Sequence, residues 1–130
     1  MGTVLALVDD IFFQARIAAT AKQVGVDFKT FGTADALVKA AVPVDGAASE
    51  TLPCCELIVI DLNARADAIG ALNQLRDAGN QTPIVAFLSH VQTELAERAR
   101  TAGCTEIMPR SKFTQNLAAI LGRAKKREAP

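Results

Sequence analysis

Short apolar runs alternate along this chain with stretches in which apolar residues recur at helical spacing. Five such runs predict β-strands, at residues 3–8, 26–31, 56–63, 83–88 and 105–108. Runs this short and this apolar are typical of strands that are buried on both faces of a sheet. The second run instead alternates apolar and polar residues, which favours a position at the sheet edge.

Five helices are predicted between and after these runs, with apolar residues three or four positions apart and glycines close behind the last turn. They cover Ile11–Val24, 34–42, about 66–78, Thr93 to Gly103, and a final helix capped by Ser111 or Thr114. The Pro-bounded segment 43–53 is predicted to be a loop, and so is the segment 109–112 after the last strand.

The strict alternation of strands and helices predicts a single α/β domain over residues 1–130. Right-handed crossovers between such units give a mostly parallel sheet with helices on both faces. The prediction is a doubly wound, flavodoxin-like fold with five strands in the order 2-1-3-4-5. A chain of 130 residues buries roughly two-thirds of its unfolded surface, so it can hold one proper core.

The composition argues against nucleic-acid binding, a membrane span and a disulfide-rich fold. Lys plus Arg and Asp plus Glu number 14 each, and there is no Trp or Tyr. The chain therefore has neither the net positive charge nor the aromatic platform that nucleic-acid binding favours. No segment is apolar enough for a membrane span. Three cysteines, two of them adjacent at Cys54 and Cys55, argue against a disulfide framework, and we expect a cytoplasmic protein.

Polar residues follow the predicted strands at their carboxyl ends, where open α/β sheets place their ligands. The set comprises Asp9, Asp10, Asp61, Asn63, Ser89, His90, Arg110 and Lys112. Carboxylates that converge must raise a pKa or recruit a cation, because like charges repel. Oxygen ligands of this kind suit Mg²⁺. The alternative is that the aspartates only cap the helices that follow them, since negative charge is stabilising there.

Three motifs resemble those of response-regulator receiver domains. They are Leu7-Val8-Asp9-Asp10, Asp61-Leu62-Asn63 after an apolar strand, and the Ala102-Gly103 turn before the last strand. The resemblance covers residues 3–123, which leaves no room for an output domain. It implies that Asp61 accepts a phosphoryl group from a histidine kinase or a phosphotransfer protein. It also implies that Asp10, Asp61 and the main chain of Asn63 hold Mg²⁺, with Asp9 acting through a water.

The chain departs from the receiver pattern at the positions that transmit the signal. The family's switch hydroxyl falls on Leu88, which has no hydroxyl to bond a phosphoryl oxygen. Ser89 is the candidate to contact phosphate in its place, but it is one position late, so on a strand it points to the other face unless a bulge re-aims it. The signalling aromatic falls on Ile107. The usual Lys falls on Arg110, which can contact phosphate but through a planar fork, unlike the point charge of a lysine. The sequence thus predicts an atypical receiver that keeps the acidic pocket and has lost the usual switch.

Two signalling hypotheses and one enzymatic hypothesis follow. The leading one is a stand-alone receiver with output through the face formed by the fourth strand, the fourth helix and the fifth strand. The alternative is a pseudo-receiver, an adaptor that binds its partner independently of phosphorylation. The third is a small Mg²⁺-dependent phosphohydrolase, but the sequence offers no dedicated general acid or base, and we expect no enzyme. We expect a monomer or a weak dimer.

Overall fold

A parallel sheet runs through the middle of the chain in the computed structural model, which describes residues 2–41, 56–63, 67–79, 82–88 and 93–126. Its strands are β1 (Thr3–Leu7), β2 (Asp27–Phe31), β3 (Leu57–Asp61), β4 (Ile84–Leu88) and β5 (Glu106–Pro109). The helices are α1 (Ile11–Val24), α2 (Ala34–Ala41), α3 (Ala68–Asp77), α4 (Thr93–Thr101), α5 (Arg110–Gln115) and α6 (Leu117–Lys126). The predicted loop at residues 43–53 lies outside the described residues.

The five strands pair in the order β2-β1-β3-β4-β5, all parallel, so the predicted topology is confirmed. The strand order reverses between β1 and β3, which places the topological switch point at their carboxyl ends. β2 lies at one edge and is only partly buried, as its alternating sequence predicted. β3 and β4 are buried along their whole length, because helices cover both faces.

Alternation along the strands divides the core into two layers. Ile58 and Ile60 of β3 pack against α2, α3 and α4. Leu57 and Val59 of the same strand pack on the opposite face, against α1, α5 and α6. The buried aliphatic residues thus form two continuous interfaces between helices and the sheet, one on each face. Within the described residues, no helix is both long enough and apolar enough to cross a bilayer.

The C-terminal helical region begins earlier than predicted. The segment 109–112 was predicted to be a loop, with Ser111 or Thr114 as the helix cap, and this was wrong. α5 starts directly at Arg110 behind the extended Pro109, whose side chain makes no capping hydrogen bond. A break at Asn116 then separates α5 from α6, so the described residues form six helices instead of five. Ser and Thr favour caps in general, but here Thr114 donates to the carbonyl of Arg110 inside the helix.

Candidate functional site

Asp61 ends the central strand β3 and is one of the few buried polar residues, with 4% of its surface exposed. Its Oδ1 accepts a hydrogen bond from the backbone N–H of Asn63 at 2.9 Å. By alternation its side chain shares the face of Val59, which packs against α1 and α5. Buried strand residues on both sides fix the backbone here, so the carboxylate has a defined position at the switch point.

Asp10 is the N-cap of α1, and its backbone is extended. Its Oδ1 accepts hydrogen bonds from the N–H groups of Phe12 at 2.9 Å and Phe13 at 3.2 Å. These bonds satisfy two of the donors that a helix start leaves unpaired. The capping alternative considered for the aspartates is therefore observed for Asp10, but capping uses only one of its two oxygens.

Arg110 donates a hydrogen bond to the other carboxylate oxygen of Asp10. Its Nη2 lies 3.0 Å from Oδ2 of Asp10, and the two side chains are 34% and 39% exposed, respectively. The guanidinium carbon lies 4.2 Å from the ring centroid of Phe13 and 6.0 Å from that of Phe87. A cation over an aromatic face is attracted by the ring quadrupole. The aromatic surface and the carboxylate together hold the positive charge in one orientation.

The pKa values show that these groups share one electrostatic environment. Burial raises the pKa of Asp61 above its ordinary value, and the carboxylates of Asp9 and Asp10 raise it further, while the Asn63 N–H and Arg110 oppose the rise. The hydrogen bond from Arg110 is the largest cause of the lowered pKa of Asp10, followed by the backbone bond from Phe13. We call Asp9, Asp10 and Asp61 the acidic rim, because the charges of Asp9 and Asp10 both act on Asp61.

The other predicted site residues fall into three groups. Asp9 and Asn63 lie at the acidic rim and are exposed. Ser89 lies outside the described residues, so its proposed contact with phosphate stays a prediction. Leu88 ends β4 and is buried among the side chains that pack against α2, α3 and α4. The side chain at this position is therefore apolar. It packs in the core layer with α2, α3 and α4, whereas Phe13 and Arg110 lie on the other face of the sheet.

The donor set has the oxygen chemistry that Mg²⁺ prefers, namely carboxylates and a main-chain carbonyl. In the arrangement observed, however, both oxygens of Asp10 are engaged, one by the start of α1 and one by Arg110. Among the residues that the structure describes, no three His, Cys, Asp or Glu side chains are grouped so that they could hold a metal ion. Magnesium held by Asp10, Asp61 and the main chain of Asn63 stays a prediction.

Sequence reasoning missed the aromatic cluster beneath the rim. Phe13, Phe87 and Phe113 pack together, with ring centroids 5.2 Å apart for Phe13 and Phe87 and 4.5 Å apart for Phe87 and Phe113. The helical spacing of Phe13 predicted only that it belongs to the core. Its contact with Arg110 joins residues far apart in the chain, and periodicity carries no information on such pairs. In contrast, Phe12 is 83% exposed, as its position off the apolar face of α1 indicates.

The strand order and the two helical layers define a flavodoxin-like fold, with the acidic rim at its switch point. Solved structures of receiver domains share this fold. The Francisella response regulator 1452 receiver domain superposes with a TM-score of 0.76 at 19% identity, covering 99% of this chain and 100% of that one. A receiver domain from Rhodospirillum rubrum gives a TM-score of 0.76 at 14% identity, covering 98% and 96%.

The phosphorylated cyanobacterial phytochrome response regulator RcpA is similar to the same degree. It gives a TM-score of 0.76 at 13% identity, covering 98% of this chain and 96% of that one. No protein-family model and no curated protein matches the sequence. At such low identity the structural likeness shows the fold, and the chain has the receiver-domain fold.

Proposed function

We propose that this chain is an atypical receiver module of a phosphorelay, acting in the cytoplasm, with Asp61 as its phosphoacceptor. The observation that carries the proposal is a carboxylate only 4% exposed at the end of the central strand, whose pKa responds to two further aspartates and to Arg110. Burying a carboxylate beside other carboxylates destabilises a fold unless the charges are paired. Stability alone therefore does not explain an aspartate at this position. Functional sites concentrate such arrangements.

In phosphoryl transfer to Asp61 the protein mainly has to position the carboxylate and balance the charge of the phosphoryl group. One oxygen of Asp61 attacks the phosphorus of a phosphohistidine on a histidine kinase or a phosphotransfer protein. The bond from phosphorus to the histidine nitrogen breaks, its electron pair stays on that nitrogen, and an aspartyl phosphate forms. Arg110 is the nearby cation that balances the added negative charge. The proposal assigns the chain no turnover of its own, since a phosphohydrolase needs a dedicated general acid or base.

Mg²⁺ belongs to the proposal as the cation that neutralises the incoming phosphoryl oxygens. Asp10, Asp61 and the main-chain carbonyl of Asn63 would hold it, with Asp9 acting through a water. Arg110 pairs with Asp10 at 3.0 Å, so the protein's own cation balances one of the three aspartates of the acidic rim.

The output of the module is protein binding through the face formed by β4, α4 and β5. Leu88 and Ile107 favour a second candidate, a pseudo-receiver that binds its partner regardless of phosphorylation. Leu88 is 4% exposed and has no hydroxyl to bond a phosphoryl oxygen, and Ile107 packs partly buried against the same layer. Unchanged affinity of a partner for Asp61→Ala would favour this second candidate over the first.

The test is incubation with a small-molecule phosphoryl donor and MgCl₂, read by intact-protein mass. The wild type is expected to gain the mass of one phosphoryl group, and Asp61→Asn to gain none. Asp67→Asn is a matched control, because Asp67 caps α3 through Gly70 N–H at 2.9 Å and has no role at the rim. No gain in the wild type, or an equal gain in Asp61→Asn, removes the phosphoacceptor from the proposal.

A further inference from the structure

We propose that two copies of this chain associate through their β2 strands, which pair antiparallel across a two-fold axis and join the two sheets into one. The inference goes beyond the proposed function and is independent of it, because no residue of the acidic rim takes part. The juxtaposition that carries it is Asp27 and Lys29, opposite charges two positions apart on one face of a strand at the edge of the sheet.

The backbone of β2 has hydrogen-bonding groups along its outer side that another strand can use. In the part of the chain that the structure describes, β2 pairs with β1 alone. The N–H of Asp27 donates to the carbonyl of Gly2, just before β1, at 2.9 Å. Because successive residues of a strand direct their N–H and C=O groups to alternate sides, those of Phe28 and Thr30 point away from β1. An edge of this kind is a template for pairing with a further strand.

The charges on β2 select one register for a second copy. Asp27 and Lys29 are exposed, and neither forms an ion pair with another of the described residues. With the two-fold axis at Phe28, each Asp27 lies opposite Lys29 of the other copy, so two ion pairs form. With the axis at Lys29, the two lysines lie opposite each other and repel. The strand is therefore complementary to itself in the first register, as a two-fold interface requires.

The register centred on Phe28 also fits the backbone and the second face of the strand. Phe28 and its counterpart then exchange their outward N–H and C=O groups. Asp27 and Lys29 take the neighbouring positions without hydrogen bonds, where opposite side chains come closest. Phe28 packs partly buried against the core layer of α1, α5 and α6, and across the axis it meets Phe28 of the second copy. Aromatic pairs across strands are favourable.

The opposite edge of the sheet is less suited to a second strand. β5 has four residues and ends in Pro109, which has no N–H to donate. Glu106 at its start is already paired with Arg123 at 2.5 Å. β2 has five residues and no proline. A lysine on an edge strand can also discourage pairing, but the opposite charge of Asp27 on the same face distinguishes β2 from an edge that is only guarded by charge.

The experiment is sedimentation equilibrium of the full chain and of two charge-reversal variants, Asp27→Lys and Lys29→Asp. Each variant alone places like charges opposite each other in both pairs, whereas a mixture of the two variants restores opposite charges. Both positions are exposed, which protects the fold, and far-UV circular dichroism checks it. Glu97→Lys is the matched control, since it makes the same change of net charge as Asp27→Lys on the exposed side of α4.

We expect the wild type and Glu97→Lys to form the same weak dimer, and the amides of Phe28 and Thr30 to gain protection from hydrogen exchange as the protein concentration rises. Each reversal alone is expected to dimerise roughly tenfold more weakly, since two symmetric pairs change from attraction to repulsion. The mixture is expected to associate as tightly as the wild type.

Three outcomes overturn the inference. The first is a wild type that stays monomeric at millimolar concentration. The second is a dimer that both reversals leave unchanged, and the third is a mixture that associates no more tightly than either variant alone. Because no phosphorylation is measured, the inference and the phosphoacceptor assignment can fail separately.

Discussion

Arg110 and Asp10 are 100 positions apart in the chain, yet Nη2 of the arginine donates to Oδ2 of the aspartate at 3.0 Å. This contact joins the first residue of α5 to the N-cap of α1 across the carboxyl end of the sheet. It also lowers the pKa of Asp10, so the ionised carboxylate stabilises the folded state. That contribution is present above the ordinary pKa of an aspartate and is lost as the pH falls through the lowered value.

Phe13 should contribute more to stability than its neighbour Phe12, although both begin the same helix. Phe13 is 6% exposed and contacts two aromatic rings as well as Arg110. We expect Phe13→Leu to lower the free energy of unfolding by about 1–2 kcal/mol, through lost aromatic packing and a partial cavity. Urea unfolding measures the difference. Phe12→Leu is the control and should change little, because Phe12 is 83% exposed; equal losses in both variants would contradict the cluster's role.

Asp61 should make the fold less stable at neutral pH than a neutral side chain of the same shape would. Its pKa is raised in the folded state from an ordinary value of 3.8, mainly by burial. Its favourable contribution is therefore present below that ordinary value and is lost as the pH rises through the raised pKa.

Asp61→Asn keeps an oxygen for the Asn63 N–H and removes the charge. We expect it to raise the free energy of unfolding at pH 7 by on the order of 1 kcal/mol, and to leave it unchanged well below the ordinary pKa. Urea unfolding at a series of pH values measures the difference between the two proteins. A difference that is independent of pH would contradict the account.

Arg76 links the end of α3 to Gly103, in the turn after α4, and to Thr82, just before β4. Its Nε and Nη2 donate to the carbonyl of Gly103 at 3.0 and 2.7 Å, and its Nη1 donates to the carbonyl of Thr82 at 3.1 Å. We expect Arg76→Ala to cost about 1 kcal/mol of unfolding free energy, because two part-buried carbonyls lose their donors. Chemical denaturation tests this, with the exposed Arg98→Ala as the control. A loss of a few tenths of a kcal/mol in both variants would show that the hydrogen bonds contribute little.

The sequence predicted the sheet and the acidic rim well for a common physical reason. Buried parallel strands must be continuously apolar, so β1, β3 and β4 stand out as runs, and the residues just beyond them must lie at the same edge. Asp10 and Asp61 follow from this rule alone. These features depend on local pattern, and local pattern is what a sequence displays directly. Right-handed crossovers predict a mostly parallel sheet, but the strand order 2-1-3-4-5 is what the resemblance to receiver domains implies.

The partners of the rim residues could not be predicted in the same way. Arg110 was expected in a loop that positions a cation, but the structure makes it the start of α5 and seats it on Phe13. Whether Asp10 caps a helix or faces a ligand is decided by such a distant contact. The start of α5 at Arg110 was missed for a second reason, since no Ser, Thr, Asp or Asn precedes it and Pro109 makes no capping bond.

The acidic rim around Asp61 is proposed to bind a phosphoryl group. The most direct measurement is titration with beryllofluoride and MgCl₂, a mimic of the aspartyl phosphate, followed by backbone amide shifts. Shifts are expected at residues 9–13, at 61–63 and at Arg110 in the wild type, and none of them in Asp61→Asn. Absence of shifts in the wild type, or the same shifts in Asp61→Asn, would contradict the proposal.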